Sequence, residues 1–114
     1  MSMAGSLPVT ADGNVRATAM HALDALGNPV RRDILRTLRT SPLAVGELAA
    51  RFPVSRPAIS RHLRVLEDAG LVEHRAQGAS SVYAVRVQGF ASVRGFLDEF
   101  WETALSRLEE LAKE

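Results

Sequence analysis

The sequence predicts a mainly α domain with one β-hairpin set ahead of its last helix. Two observations predict it. Apolar residues recur every three to four positions over most of the chain, the spacing of amphipathic helices. Directly after Gly70 the period switches to two, and past Gly89 it returns to helical spacing.

Taken in order, residues 1–14 mix small, polar and turn-forming types and predict a flexible N-terminal tail. Val15, Ala19, Ala22, Leu23 and Leu26 predict a first helix, which Gly27-Asn28-Pro29 stops; Asn28 and Pro29 then open a second. Val30, Ile34, Leu35 and Leu38 form the apolar side of that helix, with Arg31, Arg32, Arg36 and Arg39 on its other sides, and Ser41-Pro42 closes it. Val45–Arg51 predicts a short third helix, followed by the tight apolar connection Phe52-Pro53-Val54. Ser55 has the chemistry of an N-cap, and Pro57 falls in a first turn where no backbone donor is lost. The fourth helix runs from Arg56 to about Ala69, with Ile59, Leu63 and Leu66 inward, Val65 at the margin and Gly70 as a left-handed stop.

Leu71–Arg75 and Ser81–Val87 read as two strands, Ala76-Gln77-Gly78-Ala79-Ser80 as the turn between them, and Gly89 as the end of the hairpin. Tyr83 is expected to pack the hairpin on the core. From about Ala91 to Lys113 a long helix carries Val93, Phe96, Leu97, Phe100, Trp101, Leu105, Leu108 and Leu111. Residues 15–114 are thus expected to form a single domain of order α-α-α-α-β-β-α.

Composition removes several classes of function. The 114 residues contain no cysteine, which excludes disulfides, thiolate metal sites and cysteine nucleophiles. No apolar run approaches the ~20 residues of a membrane span, and no basic-then-apolar leader precedes the domain. A cytoplasmic protein with no membrane partner is expected. Enzymatic function is not: no nucleophile–base pair, phosphate-cradling glycine loop or carboxylates clustered near a histidine is present.

The net charge of +1 hides a division. Residues 28–66 carry eight arginines against Asp33 and Glu47, a balance of +6, whereas residues 98–114 carry six acidic residues against Arg107 and Lys113, a balance of −4. Such asymmetry fits a polyanionic partner for the middle of the chain. Arginine-for-lysine usage on solvated faces (thirteen Arg, one Lys) would give a similar count, so composition leaves both readings open.

The order of elements decides between them. Two short helices joined by a tight turn, then a hairpin, make a winged helix-turn-helix. The second helix of the pair is suited to the major groove of double-stranded DNA. Between Glu47 and Glu67 lie nineteen residues without a carboxylate and with four arginines. Arg56, Ser60, Arg61 and Arg64 occupy the surface left by Ile59, Leu63 and Leu66. Arginine supplies phosphate neutralisation and bidentate reach to guanine.

The segment Val54-Ser55-Arg56-Pro57-Ala58-Ile59-Ser60-Arg61-His62-Leu63-Arg64-Val65-Leu66-Glu67-Asp68-Ala69-Gly70-Leu71-Val72 closely resembles the recognition segment of ArsR-type winged-helix repressors. Leu23 to Leu35, through Gly27-Asn28-Pro29, resembles the opening of the same family, and the likeness covers roughly residues 17–112. The resemblance implies a homodimeric bacterial repressor on a near-palindromic operator. It implies groove contacts from Arg56, Ser60, Arg61 and Arg64, with Ser55 at a phosphate. His62 is left with two roles, a phosphate contact or packing at the helix edge.

The chain departs from the family's metal sensors. Ala44 and Gly46 stand where arsenic-sensing members carry cysteines, and the last helix has no histidine where zinc-sensing members place ligands. No metal and no cofactor are expected, and no small-molecule inducer is identified. In the wing, Gly78 is followed by Ala79-Ser80-Ser81 rather than a second basic residue, which leaves Arg75 as the only cation near the tip, supported by Gln77 and the serine hydroxyls, and a DNA contact weaker than the family's is expected there. Phe96, Phe100, Trp101, Leu105 and Leu108 are expected to dimerise the chain through its first and last helices, because reading a palindrome needs two recognition helices about 34 Å apart. The rival reading is a winged helix that binds only protein; retention of Arg56, Arg61 and Arg64 on one face argues against it.

Overall fold

Asn28, Ser55 and Gly70 set the helix boundaries that place the rest of the fold. The structure, a computed structural model, describes residues 20–113. The expected tail and the start of the first helix lie outside the described residues. Helix α1 is described over residues 20–26, followed by α2 (Pro29–Thr40), β1 (Leu43–Ala44), α3 (Val45–Ala49), α4 (Arg56–Asp68), β2 (Val72–Gln77), β3 (Ser80–Val85) and α5 (Val87–Lys113).

The Asn28 side chain accepts from the backbone N–H groups of Val30 and Arg31 at 2.9 and 3.1 Å, so α2 opens on a satisfied cap with Pro29 in its first turn. Ser55 Oγ accepts from Ala58 N at 3.2 Å and does the same for α4. At the start of α3, Glu47 reaches back to accept from Ala44 N at 3.0 Å. Helix α4 ends in a Schellman turn: Leu71 N donates to Leu66 O and Gly70 N to Glu67 O, both at 2.9 Å, with Gly70 at φ +77°.

One core joins these elements. Ile34 from α2, Leu48 from α3, Ile59, Leu63 and Leu66 from α4, and Leu71 and Val72 at the entry to the hairpin are its largest fully buried residues. Ala22 and Ala25 of α1 and Val93 of α5 close it, and Phe52, Val54 and Tyr83 pack against its edge. Burying each large aliphatic side chain contributes about 1.5–3 kcal/mol.

Four sequence expectations change. The sheet has three strands in the order β1-β3-β2, because Leu43 pairs with Tyr83 and Ala44 with Val82. The hairpin turn is Gly78-Ala79 rather than the five residues 76–80, since Gln77 pairs with Ser80 and Ala76 with Ser81. Gly78, at φ +63°, supplies the positive dihedral that a two-residue hairpin loop needs at its first position, so its neighbours are free to join the ladder. Helix α3 ends at Ala49, short of Arg51.

Gly89 does not end the hairpin but lies inside the first turns of α5, which begins at Val87 rather than near Ala91. There it is buried against the end of α4: a Cβ at this position would stand 1.8 Å from Gly70 O. Only glycine lets α5 leave the body at this point. Gly89→Ala is therefore expected to destabilise the fold by about 1–3 kcal/mol, the range of an overpacked core. Urea denaturation checks it, and a midpoint equal to that of the unsubstituted chain would contradict the packing described.

Candidate nucleic-acid interface

At 100° per residue, Arg56, Ser60, Arg64 and Arg61 fall within an arc of about 140° on α4, and this arc excludes Ile59, Leu63 and Leu66. The structure divides the helix the same way. Ile59, Leu63 and Leu66 are 0% exposed, whereas Ser55, Arg56, Ser60, Arg61 and Arg64 are all exposed. Among the described residues none of these arginines is paired with a carboxylate; the arginine–carboxylate pairs present are Arg36–Asp33 and Arg86–Glu73, and Glu67 meets the His74 ring. Their charge is available to a polyanion.

Local packing aims two of these groups. The Arg56 guanidinium lies over the start of α3, where a Cβ on Gly46 would stand 3.7 Å from Nη1, so it spans the step between the two helices. Ser55 is occupied with Ala58, but the first-turn N–H of Arg56 keeps no intrahelical acceptor and faces outward with the positive end of the helix.

His62 stands outside the arc. Its Nδ1 lies 3.5 Å from Arg31 Nη1, and Arg31 donates from Nε to Ala25 O at 2.7 Å and from Nη2 to Asp24 O at 3.3 Å. Arg31 thus staples the end of α1 to α2 and to the inner flank of α4. Burial, with the Arg31 and Arg61 charges adding to it, holds the His62 imidazole below its ordinary value of 6.5.

The wing residues are placed by register. Val72, His74 and Ala76 share one face of β2, while Glu73, Arg75 and Gln77 share the other. Arg75 and Gln77 are exposed and lie toward the tip, on the face turned away from His74. The hairpin therefore does not bring them onto the α4 surface. Tyr83 is half-buried at the core edge, and its phenol is raised above the usual value of 10.0 by burial and then by the Glu67 charge.

Helix α5 leaves the body after Val93, and every residue from Leu97 to Lys113 is exposed. Phe100, Trp101 and Leu108 are 62%, 65% and 61% exposed, Leu105 is 44% exposed, and Phe96 is half-buried edge-on against Phe100 at 5.2 Å. A run of exposed apolar groups of this extent is unusual for a surface that meets only water. Among the described residues, no group of three or more metal-ligating side chains lies together, and no helix is long and apolar enough to cross a membrane.

The helix-turn-helix domain family matches residues 26–75, from the end of α1 into the wing. The chain is 48% identical over 90 residues to the HTH-type transcriptional regulator Rv2034 of Mycobacterium tuberculosis, covering 79% of this chain and 84% of that protein. A crystal structure of a possible transcriptional regulator for arsenical resistance is 42% identical, covers 82% of this chain and 95% of its own, and superposes with a TM-score of 0.67. A solved ArsR family transcriptional regulator is 31% identical, with coverages of 80% and 94% and a TM-score of 0.74. The chain belongs to the ArsR-type winged helix-turn-helix transcriptional regulators.

Within this ArsR-type chain the groups easiest to miss in the sequence are Arg31 and Glu67. Arg31 is one of four arginines on α2, and only the approach of His62 across the fold distinguishes it. The lowered His62 value has a consequence for stability. The folded state then binds fewer protons than the unfolded chain just below pH 6.5, so stability falls as pH drops through that value and levels off below the lowered native one. His62→Gln is expected to flatten this part of the profile, read as the difference in urea midpoint between pH 5 and pH 7.5. An unchanged slope would show that Arg31 and burial do not act on His62.

Proposed function

We propose that the chain is a homodimeric repressor that binds double-stranded DNA at a near-palindromic operator, with α4 in the major groove and the β2–β3 hairpin as its wing. The observation that carries this reading is the division of α4 into a fully buried aliphatic side and an exposed, carboxylate-free side bearing Arg56, Ser60, Arg61 and Arg64. A helix about 10–12 Å across fits the major groove, where arginine reaches guanine O6 and N7 in bidentate fashion. Arg61 and Arg64 are the base-reading residues, Ser60 adds a short hydrogen-bonding contact, and Arg56 with the helix start at Ser55 takes phosphates. His62 serves the joint between α2 and α4, and Arg75 and Gln77 reach the DNA from the wing.

The partner for α5 is a second copy of the chain. Phe96, Phe100, Trp101, Leu105 and Leu108 supply the apolar surface, joined by α1, and the pairing holds two α4 helices about 34 Å apart. Asp98, Glu99, Glu102, Glu109 and Glu110 give the far part of α5 a negative surface that keeps this end of the dimer off the duplex. Repression takes place in the cytoplasm, where the DNA lies.

Titration of the protein on an operator selected from a random pool tests the reading. With about six phosphates neutralised per dimer, affinity is expected to fall on the order of 10³-fold between 50 and 200 mM salt. A flat salt response would remove DNA as the partner.

A further inference from the structure

Glu67 is the first carboxylate after the arginine-bearing stretch, and it stands in the last turn of α4, one turn beyond Arg64. His74 is the third residue of β2, on the same face as the buried Val72. The two meet: His74 Nδ1 lies 2.6 Å from Glu67 Oε2. A carboxylate oxygen only accepts here, so the imidazole carries its proton on Nδ1 and donates it. The other side of the ring lies against Tyr83, its cross-strand neighbour, with centroids 5.1 Å apart. Three side chains, one each from α4, β2 and β3, are thus joined through the His74 ring.

This point is where the wing is held. At its base the hairpin is fixed by the Schellman turn and by Arg86 N donating to Leu71 O at 2.9 Å. On the β3 side it is held by the two residues of β1. On the β2 side every residue after the core residue Val72 is exposed, and among the described residues Glu67–His74 is the one side-chain hydrogen bond between that strand and α4. From His74 to Gly78 is four residues, about 13 Å of strand. A rotation of about 10° at His74 moves the tip by about 2 Å, enough to break a hydrogen bond made there.

We infer that Glu67 and His74 form a latch that sets the angle of the wing to α4, and so decides whether Arg75 and Gln77 meet the DNA flanking the α4 contact. Both are positioning residues, and the inference rests on the DNA-binding reading above. It makes an electrostatically counterintuitive demand. Removing a carboxylate beside a polyanion should strengthen binding, whereas opening the latch should weaken it.

The test uses the full chain, an operator duplex selected with the unsubstituted protein, and fluorescence anisotropy. Glu67→Ala is expected to weaken binding about five- to tenfold with an unchanged thermal midpoint. Glu67→Gln, which keeps an accepting oxygen without the charge, is expected to restore affinity to within about twofold. In an Arg75→Ala/Gln77→Ala background, where the wing contact is already gone, Glu67→Ala is expected to cost less than twofold. Unchanged or tighter binding by Glu67→Ala, or losses that multiply independently in that background, would overturn the latch while leaving DNA binding in place. In the free protein, 15N spectra of His74 should show the proton on Nδ1; a neutral ring protonated on Nε2 alone overturns the latch without reference to DNA. Failure of the unsubstituted chain to bind any duplex would instead remove the reading on which the latch depends.

Discussion

The rotation of α4 about its own axis is fixed by Ile59, Leu63 and Leu66, and every functional statement about the chain follows from that rotation. These three side chains are fully buried, and each contributes about 1.5–3 kcal/mol by leaving water. Turning the helix by one residue would expose part of this stripe and carry an arginine toward a core in which, among the described residues, no charged or polar side chain is buried. An unpaired buried charge costs several kcal/mol, so the guanidinium face points outward by default. Function here occupies what the core does not use.

The surrounding elements hold that arrangement at both ends and from one side. Ser55 caps the start of α4 and the Schellman turn at Gly70 closes its end. Arg31 joins the inner flank to α1 and α2 through His62, and Glu67 joins the last turn to the wing through His74. Gly89, packed against Gly70 O, directs α5 away from the body. Helix α4, the wing and the projecting α5 therefore all meet at one turn, residues 69–72.

Much of this was legible in the sequence because it rests on short-range rules. Asn28, Ser55 and Gly70 announce helix ends by chemistry that acts over three or four residues, and the stripe on α4 is read from spacing alone. The change of period after Gly70 located the hairpin. Its turn is shorter than the local sequence suggests, because Gln77 and Ser80 have turn-forming character and nothing local shows that Gly78 alone supplies the dihedral needed. Two residues are too few for an alternating pattern, so β1 carried no signal. Gly89 has the look of a strand terminator, and its close approach to Gly70 O becomes visible only when the helices are packed. The same holds for Arg31 with His62, separated by 31 positions. Side-chain pairs across the fold are set by three-dimensional packing, and no periodicity records them. Arg75 and Gln77 were legible as exposed wing residues, but not the face on which they stand.

Guanine methylation interference on the selected operator tests the central claim most directly, because methylation at guanine N7 blocks the major-groove edge that we propose Arg61 and Arg64 read. The account predicts two patches of interfering guanines, one per half-site, separated by one helical turn of about 10 base pairs or a whole multiple of it. Interference confined to adenine N3 in the minor groove, or a single unpaired patch, would contradict it.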